Sequence, residues 1–201
     1  MTIHMLPGIV ADPRTMAYFD GIVEKVNRQF ELAQAARKTG YDIHPEVECI
    51  PVTDLADRTE KLAGPVGVAK RFREIVGEEK DRMKAIFRLF KELVLEEGEW
   101  YHNPDMQKRV EQGIKTSLVI MTEGVVVAPL DGLPHVKIGD NPDGTKYVDI
   151  YFAGPIRAAG ASAAVLPLIL GDYAQKLLGL GTYKPTPDEI ERYAEEVNIY
   201  Q

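Results

Sequence analysis

Apolar residues recur at three- and four-residue spacing early in the chain. Met16, Phe19, Ile22, Val23, Val26, Phe30 and Ala33 make one stripe, the period of a helix with one face turned to a core. Asp12-Pro13 supplies a cap followed by proline in the first turn, and Gly40 supplies a stop. The pattern predicts a long first helix whose stripe packs into the core, with a partner-binding face as the alternative. Residues 43–52, punctuated by Pro45 and Pro51, read as loop or short strand. Thr53 or Asp54 caps a short helix that stops at Gly64-Pro65. A further helix follows from about Val66 to Val76, and another from about Glu79 to Leu95. On the last of these Met83, Phe87, Phe90 and Val94 share one face.

Asn103-Pro104 opens the next helix, with Met106, Val110, Ile114, Leu118 and Met121 as its buried stripe and Gly124 as its end. The period then changes. Val125-Val126-Val127 reads as a buried strand, and Val136 and Ile138 alternate with polar neighbours, as do Val148, Ile150 and Phe152. Between the two alternating runs, Asn141-Pro142-Asp143-Gly144 is a hairpin turn signal. The most apolar stretch, Ala158 to Leu170, is closed by Gly171-Asp172 and interrupted by Pro167. A membrane span needs about 18–20 apolar residues, so this stretch reads as a core helix, and no membrane association is expected. Proline removes one N–H bond and crowds a carbonyl, which predicts a kink or break between Ala163 and Leu168. A final helix begins at Thr186-Pro187, with Asp188, Glu189 and Glu191 in its first turn.

The order is helices, a small sheet, then helices. This is an α+β fold, mainly helical, with a mostly antiparallel sheet around residues 124–152. It divides into a helical region over 1–100 and an α+β region over 101–201, a division that leaves room for one continuous domain. At 201 residues the chain is long enough to bury a substantial core.

Charge changes the picture in one place. The net charge is −7, which argues against a surface coated with phosphate-binding cations. Yet residues 70–91 hold eight Lys and Arg against four Asp and Glu. Lys80, Lys84, Arg88 and Lys91 fall at helical spacing on one side of the predicted helix. Two readings stand side by side: a solvated helix face, or the place where a polyanion approaches. A second candidate is the junction Tyr151 to Gly160, read as YFAGPIRAAG. A strand ends in Gly154-Pro155, a single Arg157 follows, and Gly160 lies near the start of a helix. Unpaired N–H groups at a helix start beside a guanidinium attract phosphate. The alternative is a glycine-permitted corner whose arginine pairs with a nearby carboxylate.

Catalytic constellations are missing from the sequence. Ser117 and Ser162 are the two serines, both within predicted helices. His4, His44, His102 and His135 lack metal-ligand spacing. Cys49 is alone, which excludes an intrachain disulfide and a cysteine-based zinc site and fits a cytoplasmic protein. Asp140 and Asp143 are accounted for by the hairpin turn, and no carboxylate cluster suits two-metal nucleotidyl transfer.

Four ordered segments carry a resemblance. They are DLADRTEKLAGPVGVAKRFREIV (Asp54 to Val76), MTEGVVVAPLDGLPHVKI (Met121 to Ile138), YFAGPIRAAGASAAVLPLILGDYAQKLLGL (from Tyr151) and KPTPDEIERYAEEVNIY (Lys184 to Tyr200). Together they resemble the N-terminal region of the large subunit of archaeal family D DNA polymerases. The likeness runs from about Glu46 to the last residue and is looser in the first helix. The chain departs from the family pattern at Ala161, Ser162, Ala164 and Pro167. The resemblance implies a non-catalytic part of a longer replicative DNA-directed DNA polymerase subunit. In that family the metal-binding aspartates lie far downstream, in double-psi barrels. Mg²⁺ is thus implied for the complete enzyme and no cofactor for this chain. The implied partners are a small subunit with proofreading exonuclease activity, primer-template DNA and a sliding clamp. The implied role is scaffold and assembly, with Arg157, Gly154, Gly160, Lys80, Lys84, Arg88 and Lys91 as candidate DNA-backbone contacts. Two other readings remain: a small α+β protein binding a phosphorylated metabolite at the Gly154–Gly160 corner, and a purely structural assembly domain.

Overall fold

A computed structural model of the chain describes residues 11–41, 52–122, 132–154 and 161–199. Among these residues it has seven helices: α1 (Pro13–Arg37), α2 (Leu55–Leu62), α3 (Val68–Glu78), α4 (Arg82–Leu95), α5 (Met106–Met121), α6 (Ala161–Leu178) and α7 (Pro187–Ile199). Between α5 and α6 lies one antiparallel pair, β1 (Val136–Asp140) and β2 (Lys146–Ile150), in the register Val136↔Ile150 and Ile138↔Val148. The mainly helical α+β expectation is met. Val125 to Val127 and Gly124 lie outside the described residues.

Most helices start where a side-chain oxygen takes up free N–H groups. Asp12, Asp54, Asp81 and Asp105 cap α1, α2, α4 and α5. Thr186 and Glu189 form a reciprocal capping box on α7: the Thr186 N–H donates to Glu189 at 2.7 Å, and the Glu189 N–H donates to Thr186 Oγ1 at 3.3 Å. The Asp81 cap corrects one boundary. Helix α4 begins at Arg82, not at Glu79, so Lys80 precedes the cap and is not part of the helical stripe.

Helix α4 is buried on two sides. Ala85, Ile86, Leu89 and Leu93 pack with Ala56, Val68, Ala69, Phe72 and Ile75 of α2 and α3 and with Ile120 of α5. Phe90 and Val94 pack instead with Val110, Ile114 and Leu118 of α5, Leu133, Val136, and Leu170 and Ala174 of α6. Gly113 makes the α4–α5 approach possible. A Cβ there would meet the Phe90 ring at 3.1 Å and Val94 at 3.3 Å. Tyr173 of α6 completes the second cluster, edge-on to Phe87 at 5.4 Å and tilted against Phe90 at 5.7 Å. Arg109 of α5 then ties off the end of α4, donating to the Val94 carbonyl at 3.0 Å and to Glu96 at 2.7 Å.

The small sheet is held by helix side chains along both edges. Glu111 and Gln107 of α5 accept from the N–H groups of Val136 (3.1 Å) and Ile138 (3.2 Å). Gln175 of α6 accepts from Val148 at 3.1 Å. Edge N–H groups that would otherwise solicit another strand are thereby satisfied. The hairpin turn is the expected one: the Gly144 N–H donates to the Asn141 carbonyl at 2.9 Å, with Gly144 at φ 81°. Asn141 is buried and grips the later chain. Its Nδ2 donates to the Thr182 carbonyl (2.9 Å), and its Oδ1 accepts from the Lys184 N–H (2.8 Å).

Two further expectations are corrected. Helix α6 is continuous through Pro167, so the expected break is absent. Proline lacks the N–H of one helical bond, and Leu170, Ala174 and partly buried Leu166 and Tyr173 anchor the helix in the second cluster. Helix α1 buries none of its residues: Phe19 is 40% exposed and Val26 42%. Its stripe is not part of the core among the described residues.

The two-sided burial of α4 separates residues that share an apolar character. Leu89 is fully buried, whereas Met83, on the apolar face that periodicity picks out, is 46% exposed. Leu89→Ala should cost about 2–5 kcal/mol in urea unfolding, and Met83→Ala about 0.5 kcal/mol or less. Equal costs would contradict the packing described.

Candidate nucleic-acid interface

The basic stretch of residues 70–91 spans α3, the α3–α4 connection and most of α4. Folding places its cations among carboxylates. Arg71 makes a two-pronged contact with Glu92, both N···O distances 2.7 Å, and a third contact with Glu74 at 3.0 Å. Glu92 is only 6% exposed. It also accepts from the Trp100 indole at 3.3 Å and lies 3.5 Å from Arg88. This carboxylate therefore joins α3, α4 and the loop after α4. The hydrogen bond to Glu92 holds the Arg71 pKa well above the ordinary arginine value, with Glu74 adding to it.

The other arginines of the stretch are engaged in the same way. Arg73 grips Asp54 at 2.8 and 2.9 Å, which lowers the Asp54 pKa. Arg82 donates to the Ile120 carbonyl at 2.6 Å. Arg88 pairs with Glu78 at 2.7 Å, and Lys91 with Glu97 at 2.8 Å. The hydrogen bond to Glu97 raises the Lys91 pKa. Of the four cations read as one stripe, Arg88 and Lys91 are thus ion-paired. Lys80 and Lys84 are exposed and make no ion pair among the described residues, and the same holds for Lys70.

The second candidate, Arg157 with Gly160, lies outside the described residues. Gly154 is described and exposed. Its φ is not positive, and a Cβ there would meet nothing within 4 Å, so neither backbone nor packing requires glycine at that position. The helix starts offer no vacant anion site at α3, α4 or α5. Glu60 accepts from Gly67 (3.0 Å) and Ala69 (2.8 Å) at the start of α3, and aspartates fill the other two.

Sequence reasoning missed a cleft of about 460 Å³ at the α3–α4 side, lined by Lys70, Arg71, Glu74, Glu97, Glu99 and Trp100. The signal was the lone tryptophan flanked by Gly98 and acidic residues. Its three carboxylates make the cleft a poor seat for a polyanion. Asp140 and Asp143 pair with Lys146 and Lys184, and Asp143 also accepts from the Thr145 N–H within the turn. Among the described residues no three or more His, Cys, Asp or Glu side chains come together to hold a metal ion. Among the same residues no helix is long and apolar enough to cross a membrane.

A family model described as "DNA polymerase II large subunit DP2, N-terminal" matches residues 17–201. The chain belongs to this DP2 family. Every element described here from α2 to α7, and nearly all of α1, falls within the match. DNA polymerase II large subunits from three archaea are similar to it. The Methanosphaera stadtmanae subunit is 46% identical over 92% of this chain and 17% of its own length. That of Methanococcus maripaludis strain C5 is 45% identical over 92% of this chain and 16% of its own length. That of Thermococcus kodakarensis is 40% identical over 95% of this chain and 11% of its own length. The expected family D polymerase relationship is confirmed, and the chain spans less than one-fifth of each of these DP2 subunits.

The geometry assigns most of the basic stretch to architecture. Replacing Glu92 with Ala would leave Arg71 with only Glu74. Such a change should cost about 2–4 kcal/mol in urea unfolding, toward the low side for a broken buried pair because Arg71 is partly solvated. Lys84→Ala should stay within about 0.5 kcal/mol of wild type. A neutral Glu92→Ala would show that the network is dispensable.

Proposed function

We propose that this chain is the non-catalytic N-terminal region of the large subunit of an archaeal replicative DNA polymerase. It serves as scaffold in a complex with a small exonuclease subunit and a sliding clamp, and it touches primer-template DNA through a small cationic corner. The family match over residues 17–201 carries the first part of this reading. The second part is supported by Lys80 and Lys84, exposed and without ion pairs among the described residues, beside a helix whose other cations are already engaged. Spaced ammonium groups position a phosphate backbone without reading its sequence. Arg157 belongs to the same proposal as a guanidinium suited to bidentate phosphate contact.

The test is duplex affinity of the complete polymerase across a salt series. Lys80→Ala with Lys84→Ala should weaken primer-template binding without changing base preference, and reduce the slope of log affinity against log salt by about 1–2. Arg157→Ala should reduce it by about one. Unchanged affinity and slope in both variants would remove DNA contact and leave assembly as the region's sole role.

A further inference from the structure

Helix α7 is built to be covered. It is anchored at its start and bare along its length. The capping box and a hydrogen bond from Tyr183 to Glu189 fix its first turn, and Tyr183 packs edge-on against Tyr147 of β2 at 5.1 Å. Asn141 and Asp143 hold the segment just before it on the hairpin. Past that anchor, every described residue of α7 except Glu189 is exposed. Ile190 (57%), Tyr193 (69%) and Val197 (61%) fall at i, i+3, i+7 and form one apolar line. A helix of 13 residues is marginal in water without a packed face.

Charge states what the cover is. Around the apolar line the helix carries Asp188, Glu189, Glu191, Glu195 and Glu196 against a single Arg192. An acidic rim repels a phosphate backbone, so nucleic acid is not the occupant. It complements an apolar groove edged by lysine and arginine, and an exposed tyrosine at the centre of such a line is a typical anchor. Resting on the reading of this chain as part of a DP2 large subunit, the occupant is the remainder of that polypeptide. The DP2 relatives extend far beyond the matched portion, which is 11–17% of their length. A groove on the same polypeptide meets α7 intramolecularly, which lowers the contact area that docking requires. We propose that α7 docks its Ile190–Tyr193–Val197 line into a basic-rimmed apolar groove on the rest of the large subunit.

The test is hydrogen exchange of residues 187–199 in the complete large subunit alone, compared with the 201-residue chain. Amides from 190 onward should exchange at least about tenfold more slowly in the complete subunit. Ile190→Glu with Tyr193→Glu should abolish that protection, and Glu191→Lys with Glu195→Lys should weaken it. Strand β2 should be unchanged in each. Equal exchange in the two wild-type proteins would overturn the proposal, as would protection that appears only when another polypeptide is added. Duplex affinity of the same variants should match wild type, which keeps failure here distinct from failure of the DNA-contact reading.

Discussion

Helix α4 has to serve two cores at once, and the rest of the molecule is arranged around that constraint. Its Ala85–Ile86–Leu89–Leu93 side closes on α2 and α3, and its Phe90–Val94 side closes on α5, the hairpin and α6. Only a narrow strip of α4 remains for polar groups. Glu92 occupies part of that strip at 6% exposure and requires two-pronged compensation from Arg71, with Trp100 adding a third donor. The ion-pair network is thus a consequence of packing: a carboxylate trapped between two clusters draws in the nearest guanidinium.

This explains how much of the fold could be read from the chain. The caps at Asp12, Asp54 and Thr186, the Asn141–Gly144 turn and the alternation of β1 and β2 are local, and local residues dictate them. The second apolar side of α4 was not legible, because a one-stripe pattern describes a helix with one neighbour. Asp81 was read as a residue inside the helix, since nothing local distinguishes a cap from an exposed acid in the first turn. Pro167 misled in the opposite direction. The helix absorbs one missing hydrogen bond because Leu170 and Ala174 are held from below. The α1 stripe was read as a core face, yet no described residue of α1 is buried, because periodicity does not name the surface that meets it.

The candidate site was legible to a similar degree. Composition located the cations of residues 70–91, and spacing aligned Lys84, Arg88 and Lys91. What the sequence did not reveal is which cations are already committed. Glu78 and Glu97 come from outside α4 to pair Arg88 and Lys91, a tertiary fact. Lys80 and Lys84 are left as the steering charges in the proposed function, in a chain whose α7 carries the opposite sign. Such polarity suits a scaffold that turns one surface to nucleic acid and another to protein.

The most direct test of this division is lysine reactivity in the complete polymerase. Amine-reactive labelling, quantified residue by residue with and without primer-template DNA, reports each ammonium group separately. If the free cations face DNA while the paired ones hold the fold, Lys80 and Lys84 should lose reactivity when duplex is added, and Lys91, paired to Glu97, should not change. Protection of Lys91, or undiminished labelling of Lys80 and Lys84 under saturating DNA, would contradict it.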